Sequence, residues 1–249
     1  MHPILVFFIL HWYLSLLPQT LFMHRYAAHQ MFTMSRRWEK FFFVFSFIMM
    51  GPSYLSAYIY GILHRLHHEN SDTENDPHSP KYEMNPFRLM WKTRTVYRTI
   101  GNGTYKDNDG NAVEGKFKKN LPEWKSFENF ATHPLTRITW ALLYIGFYFL
   151  FASGDWAWFL LLPIQLVMGP FHGFIINYFA HLVGYRNYDM ENTSRNFLPV
   201  DILMLGESYH NNHHKLLSRP NFGVRWFEID PIYPIIKILH WLKIIRLKK

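Results

Sequence analysis

The stretch FFFVFSFIMMGPSYLSAYIYGILHRLHH, residues 41–68, is apolar for most of its length and then places three histidines in its last five positions. Positions i, i+3 and i+4 share a face of an α-helix, so His64, His67 and His68 can present three rings to one point. The same HxxHH spacing returns in HNNHH, at His210, His213 and His214. His24 and His29 add an HxxxxH pair, about 140° apart on an ideal helix. That spacing suits ligands for two different metal centres, or a distorted helix end. His181 stands four residues after Asn177 and shares its helix face.

Packing does not call for adjacent histidines, and one protonation repels the next. A metal ion removes both difficulties, because neutral imidazole is its commonest protein ligand. Nine clustered histidines are too many for one ion with four to six ligands, so two metals fit. All-nitrogen sites suit iron, zinc or copper. A zinc hydrolase of the HExxH type needs a glutamate inside the motif, and none is there. Only one ExxH occurs, Glu207 to His210, against the paired motifs of carboxylate di-iron bundles. Haem would leave most of the rings idle.

The 249 residues suit one domain. Aromatics make up 19% and charged residues only 18%, yet the mean hydropathy is slightly negative. A few apolar spans joined to a polar portion give that balance. The absence of cysteine excludes disulfides, thiolate metal sites and a cysteine nucleophile. The net charge of +8 gathers beside apolar runs, at Arg25, Arg36, Arg37 and Lys40 and in the terminal LKIIRLKK. A lipid bilayer with an anionic surface and the positive-inside rule account for it. No nucleic-acid motif is present.

Residues 3–22 are long enough to cross a bilayer at about 1.5 Å per residue. They lack the charged start and cleavage site of a signal peptide. Runs at 134–152 and 156–180 read as an out-and-back hairpin, with Pro163 and Pro170 as expected kinks. Its turn, SGD at 153–155, carries no Lys or Arg. The first run ends at His24 and His29 beside basic residues, so that end faces the cytoplasm. For all the histidines to build one site, the 41–63 run must start and finish on the same side. It is therefore expected to be a half-buried or re-entrant helix bent near Gly51-Pro52. The polar stretches 64–133 and 181–249 are cytoplasmic or interfacial, and the tail from Asp230 is a helix on the membrane surface. The expected whole is a single domain, 1–249. It is an all-α membrane protein with about three transmembrane helices, a re-entrant helix and a cytoplasmic helical cap carrying a polyhistidine site.

Six pieces stand in a particular order: HRYAAH at 24–29, HRLHHENSDTENDPHSP at 64–80, NYFAHLVGYRNY at 177–188, ENTSRN at 191–196, GESYHNNHH at 206–214 and FGVRWFEID at 222–230. With them the chain resembles the membrane fatty acid desaturases, from about residue 1 to 242. The order of the later pieces is similar to the acyl-CoA (stearoyl-CoA, delta-9) branch with its bacterial relatives. The resemblance implies two Fe2+ ions held by His24, His29, His64, His67, His68, His181, His210, His213 and His214, with Asn177 acting through a water. It implies an O2-dependent cis desaturation, delta-9 in this branch, of a long-chain saturated acyl-CoA, other acyl thioester or acyl lipid. Removing hydrogen from an unactivated methylene needs an oxidant that no side chain provides. Electrons would come from a ferredoxin-like or other external donor. The setting implied is a bacterial inner (cytoplasmic) membrane, with the site on the cytoplasmic side.

The animal enzymes of this branch carry an Arg-Asp pair before the second box that helps bind coenzyme A. Here Ile62-Leu63 stands there, which leaves the acyl carrier open. Many relatives have another span before the first box, whereas 23 residues precede His24 here, giving three crossings instead of four. A lipid hydroxylase on the same scaffold is the nearest alternative. A metal transporter would set its ligands near the membrane middle, and these lie at span ends. Asp72, Asp76 and Glu207 are expected to orient ligand rings. His78 is expected to brace its loop through hydrogen bonds, and Phe8 or Trp12 to floor an acyl tunnel. His172 is either ring-orienting or packed. His2, His11, His133 and His240 are structural, and Trp226 and Trp241 anchor at the membrane interface.

Overall fold

Pro3 opens helix α1 (Pro3–Pro18), where its missing N–H costs nothing, and the His2 ring caps the Ile4 N–H. A computed structural model describes residues 1–248 of the chain, which is mostly helical. From Gln19 the same helix continues in π geometry to Ala28, so Pro3–Ala28 forms one apolar rod of 26 residues. It is long and apolar enough to cross a membrane, as is the later helix Pro134–Phe151.

A short strand β1 (Phe32–Met34) leads into α2 (Arg36–Met50). The chain then turns through a 3-10 segment, Gly51–Ser53, into α3 (Ala57–Asn70), which carries HRLHH. The two helices meet at 78°, the geometry of a broken span or a re-entrant loop. The bend falls at Gly51-Pro52 as the sequence predicts. Gly51 sits at φ +51°, and a Cβ there would lie 2.5 Å from the Tyr144 hydroxyl. Only glycine satisfies both constraints cheaply.

Helices α4 (Pro86–Gly101), α5 (Gly115–Lys118) and α6 (Lys125–Thr132) fill the polar middle of the chain. Asn85 caps α4 by accepting from Phe87 and Arg88 N–H. Then α7 (Pro134–Phe151) runs out as the second straight span-length helix. Leu135, Ile138, Leu142, Leu143 and Leu150 on it are all more than half exposed. A continuous apolar face of this kind suits lipid.

The return leg differs from the expected single span. A 3-10 segment, Trp156–Leu161, passes into α8 (Leu162–Leu166), and α9 (Met168–Phe174) follows at 71°. The break is at Val167, and neither proline is the kink. Pro163 and Pro170 instead sit in the first turns of the helices that follow, where no N–H is needed. A second π segment, Ile175–Phe179, and α10 (Ala180–Leu182) complete the leg. By length and composition the chain thus has two candidate spans, or four if each bent pair counts as one.

After a long irregular stretch, α11 (His210–Lys215) carries HNNHH, and α12 (Ile232–Trp241) begins the tail. The tail is not helical throughout. Lys243 takes φ +60°, and β2 (Ile245–Leu247) pairs antiparallel with β1, Phe32 opposite Leu247. The all-α expectation is corrected by this two-stranded sheet. Its cause is burial: Ile245 and Phe32 are each 1% exposed in the same core, which a straight helix could not reach. That core joins Phe22, Phe43, Tyr54, Tyr209, Phe222 and Ile236, so it ties three histidine-bearing segments together.

Candidate metal centre

The π geometry at the end of the first rod decides where His24 and His29 go. The His29 N–H bonds to the His24 carbonyl across five residues. A π turn therefore brings i and i+5 to one side, where an α-helix would spread them. Both rings join His64, His68 and His213 in one group whose ring nitrogens all lie within 4.8 Å of one another. The reading with two different metal centres gives way to the distorted helix end.

His67, His181, His210 and His214 form a second group of the same tightness. Each HxxHH triplet is thus divided, and the expectation that a triplet meets one point is corrected. His64 and His68 stay together while His67 faces the other group; His210 and His214 stay together while His213 crosses over. Positions four apart diverge less around a helix than positions three apart combined with them. Two helix faces set against each other then sort the six rings three and three.

The nine rings meet through Nε2. His64 and His29 approach to 2.8 Å, His24 and His213 to 3.0 Å, His68 and His213 to 3.0 Å. In the second group, His181 and His210 approach to 3.0 Å, as do His214 and His210, and His67 and His214 to 3.2 Å. On three of the rings the opposite nitrogen is committed elsewhere. His24 Nδ1 lies 2.6 Å from Glu207, His67 Nδ1 2.9 Å from Asp76, and His181 Nδ1 2.9 Å from Thr193 Oγ1. A carboxylate only accepts, so the Nδ1 atoms of His24 and His67 carry their protons and their Nε2 atoms are lone pairs. Lone pairs facing each other at 3 Å repel unless a cation lies among them. The residues present therefore fit a pair of metal ions.

Glu207, Asp76 and Asp72 orient rings as the sequence predicts, Asp72 by accepting from Thr193 N–H beside His181. Burial alone would raise the Glu207 carboxyl, but the His24 ring and the Arg25 guanidinium outweigh it and hold it below the ordinary carboxylate range. Burial, reinforced by neighbouring rings, holds His210, His213 and His214 well below an ordinary imidazole. They stand uncharged at neutral pH, as ligands must.

Arg25 needs a correction. The sequence places it among membrane-side basic residues, yet it is fully buried. It bridges Glu207 at 3.0 Å and Asp230 at 2.8 Å, and its guanidinium lies 3.8 Å from the Phe222 ring centre. Arg65, inside HRLHH, donates to the carbonyls of Ala27 and Ala28 and clamps the π segment. Asn212, inside HNNHH, donates to Glu228 and to the Phe222 carbonyl. Asn211 accepts from Asn187 and Tyr188 N–H. The signal for these residues was their place inside or beside the histidine motifs, since polar residues there are buried with the rings.

Other expectations change too. The His78 ring makes no hydrogen bond; it packs 4.3 Å from the His67 ring, and only its backbone N–H bonds, to Asp76. His172 orients no ligand ring and meets Trp12 edge-on instead. His2 caps α1, His133 caps α7, and His11 packs against Tyr144. Trp226 and Trp241 are 94% and 78% exposed, available to an interface.

A cavity of about 1360 Å³ runs past His24, His64 and His210. Asn177, outside both ring groups, is on its wall. The part of α1 that lines it is Leu16, with Gln19 and Thr20 following. Phe8 and Trp12 do not line it, so the expected tunnel floor is corrected. Trp12 is held elsewhere, its indole N–H donating to the Leu203 carbonyl.

Apolar span-length helices and two polyimidazole groups able to hold metal are the features of a membrane-associated metal-binding protein. A family model for fatty acid desaturase matches residues 2–238, and the chain belongs to the fatty acid desaturase family. It is 28% identical over 235 residues to the Delta-9 desaturase-like 4 protein of Arabidopsis thaliana, covering 93% of this chain and 71% of that one. It is 28% identical over 224 residues to the sn-1 stearoyl-lipid 9-desaturase of Synechocystis sp., covering 90% and 64%. It is 26% identical over 223 residues to the Acyl-CoA C20 Delta5-desaturase of Anemone leveillei, covering 90% and 66%. The chain spans about two thirds of the length of these relatives.

Proposed function

We propose that the protein is an O2-dependent desaturase that places a cis double bond, delta-9 in the pattern of several relatives, in a long-chain saturated acyl group. The acyl group is carried on coenzyme A, another thioester or a lipid. The observation that carries this reading is the convergence of nine Nε2 atoms in two groups beside one long cavity. Two ferrous ions bound there would supply, with O2, the oxidant that an unactivated C–H bond demands. His24, His29, His64, His68 and His213 would hold one ion. His67, His181, His210 and His214 would hold the other, with Asn177 reaching it through water.

The chain's own groups do the rest. Glu207 and Asp76 fix the tautomers of His24 and His67, Thr193 holds the His181 ring, and Arg25 holds Glu207 in place. The cavity wall excludes water and sets methylenes beside His24, His64 and His210. Its cations, Arg94, Arg98, Lys118, Lys125 and Arg137, all lie on α4 to α7, and none on α1, α8 or α9. An anionic acyl carrier would sit at that side with its chain running toward α1 and α9. A basic surface also suits an acidic ferredoxin-like donor of electrons.

On this reading residues 1–249 are one domain. Segments 3–22, 134–152 and 156–180 cross the membrane, 41–63 is re-entrant, and the remaining polar segments cap the site. The site then faces the cytoplasm from a bacterial inner membrane. The test is the fatty acid profile, by gas chromatography and mass spectrometry, of a host without its own desaturase. The host co-expresses a ferredoxin and its reductase. A new monounsaturated acid, absent when His67→Ala and His213→Ala are combined, supports the reading. A hydroxy acid in its place would establish hydroxylation.

A further inference from the structure

A cavity built for a plain alkyl chain needs only apolar atoms around that chain, and this one also presents two buried polar side chains away from the imidazoles. Gln19, at the start of the π segment, and His172, on α9, line it, and they are 5% and 1% exposed. The Gln19 amide donates to the Gly169 carbonyl at 3.1 Å, which leaves its Oε1 without a partner. Both ring nitrogens of His172 lack a partner as well. Neighbouring polar groups are already used: Ser53 Oγ donates to the Met50 carbonyl and accepts from Gly169 N–H. Trp12 meets the His172 ring edge-on at 4.6 Å, with its own N–H committed to Leu203.

Gln19 precedes His24 by five residues, about 7 Å along the helix toward its N-terminus. Gly173 stands between Gln19 and Asn177: a Cβ there would lie 3.9 Å from Gln19 Nε2 and 4.0 Å from Asn177 Nδ2, in ordinary contact with both. The unpartnered atoms thus lie on wall segments that carry none of the lining cations. Leaving three buried polar atoms unpaired is costly, about 1–3 kcal/mol for each group. A hydroxyl answers both needs, since it donates and accepts. Oε1 takes its proton, and a His172 nitrogen serves its oxygen.

We propose that this part of the cavity receives a hydroxyl borne by the substrate chain beyond the reacting methylenes. Gln19 and His172 are then specificity-determining residues. This rests on the acyl desaturase reading and narrows it to chains oxygenated toward the methyl end. A pocket built to hydrogen-bond a substituent discriminates strongly against the analogue that lacks it.

The test uses the full chain in lipid nanodiscs, with and without ferrous ion. Stearate and a series of monohydroxystearates, the hydroxyl walked from mid-chain to the methyl end, are titrated by calorimetry as free acids and as CoA esters. In the wild type, one hydroxyl position should bind roughly 10- to 100-fold tighter than stearate. Gln19→Leu and His172→Phe should each erase that advantage while binding stearate at least as well. Stearate bound with a flat hydroxyl series overturns the proposal alone and assigns the polar end to resident water. An advantage that survives in both variants also overturns it. Failure of every chain to bind overturns it together with the acyl reading. Should a variant fail to fold, the hydroxyl series on the wild type decides by itself.

Discussion

The Arg25 guanidinium is the only cation set between Glu207 and Asp230 within salt-bridge distance among the described residues. Replacing it with methionine leaves two buried carboxylates uncompensated. Breaking such a pair from one side costs about 3–5 kcal/mol. The Arg25→Met protein should melt well below the wild type and hold less iron, as followed by thermal denaturation and metal analysis. A melt unchanged within a degree would refute the account of Arg25. Asp76→Asn and Glu207→Gln act differently. Each keeps its shape but loses the charge that holds an Nδ1 proton, so metal affinity should fall roughly 10- to 100-fold with the fold intact. Competition against a chelator of known affinity reads this directly. The histidines themselves were legible in the sequence because imidazoles in such density have few other uses. The groups behind them were legible only in part. Asp76 and Glu207 stand in the motifs, but nothing local says that Arg25 turns inward, since one lysine or arginine beside a span looks like another.

At the scale of elements, two backbone irregularities place the rings. The first is the bend at Gly51. Gly51→Ala forces a side chain into φ +51° and against the Tyr144 hydroxyl. The strain should cost about 1–3 kcal/mol. Tyr144→Phe combined with it removes the clash but not the φ penalty, so stability should recover only in part. Full recovery would mean the dihedral is unimportant. The second irregularity is the π segment at 19–28. Deleting Ala28 would let the helix end regularly and swing His29 away from its group. The iron content should then drop below that of the wild type while the helical circular dichroism persists. The sequence spacing of five admitted this distortion without choosing it. A π turn is locally unfavourable and survives because Arg65 and the shared aromatic core hold it.

For the whole molecule, the two ring groups draw on segments far apart in the chain, so metal binding and folding are linked. Stripping the protein with a chelator should lower its melting temperature, and ferrous ion should restore it. A melting temperature indifferent to metal would argue that the rings are held by packing alone. Topology can be read with thiol reagents, because the chain has no cysteine of its own. A cysteine introduced at Ser153, in the turn after α7, should label from the side opposite one introduced at Lys118. Labelling of both from one side would redraw the membrane arrangement proposed above.

The sequence by itself determined that apolar rods end in imidazoles, that these are too many for one metal ion, and that the chain bends near Gly51-Pro52. Those properties are local: composition, periodicity and one glycine state them. Only the tertiary structure decided how the rings divide, five and four, with each HxxHH triplet split between the groups. It alone buried Arg25, broke the return leg at Val167, turned part of the tail into a strand and set Gln19 and His172 on the wall of the cavity. The physical reason is the same each time. A helical position fixes the direction in which a side chain leaves its own helix, but what it meets there depends on the angle at which another helix arrives.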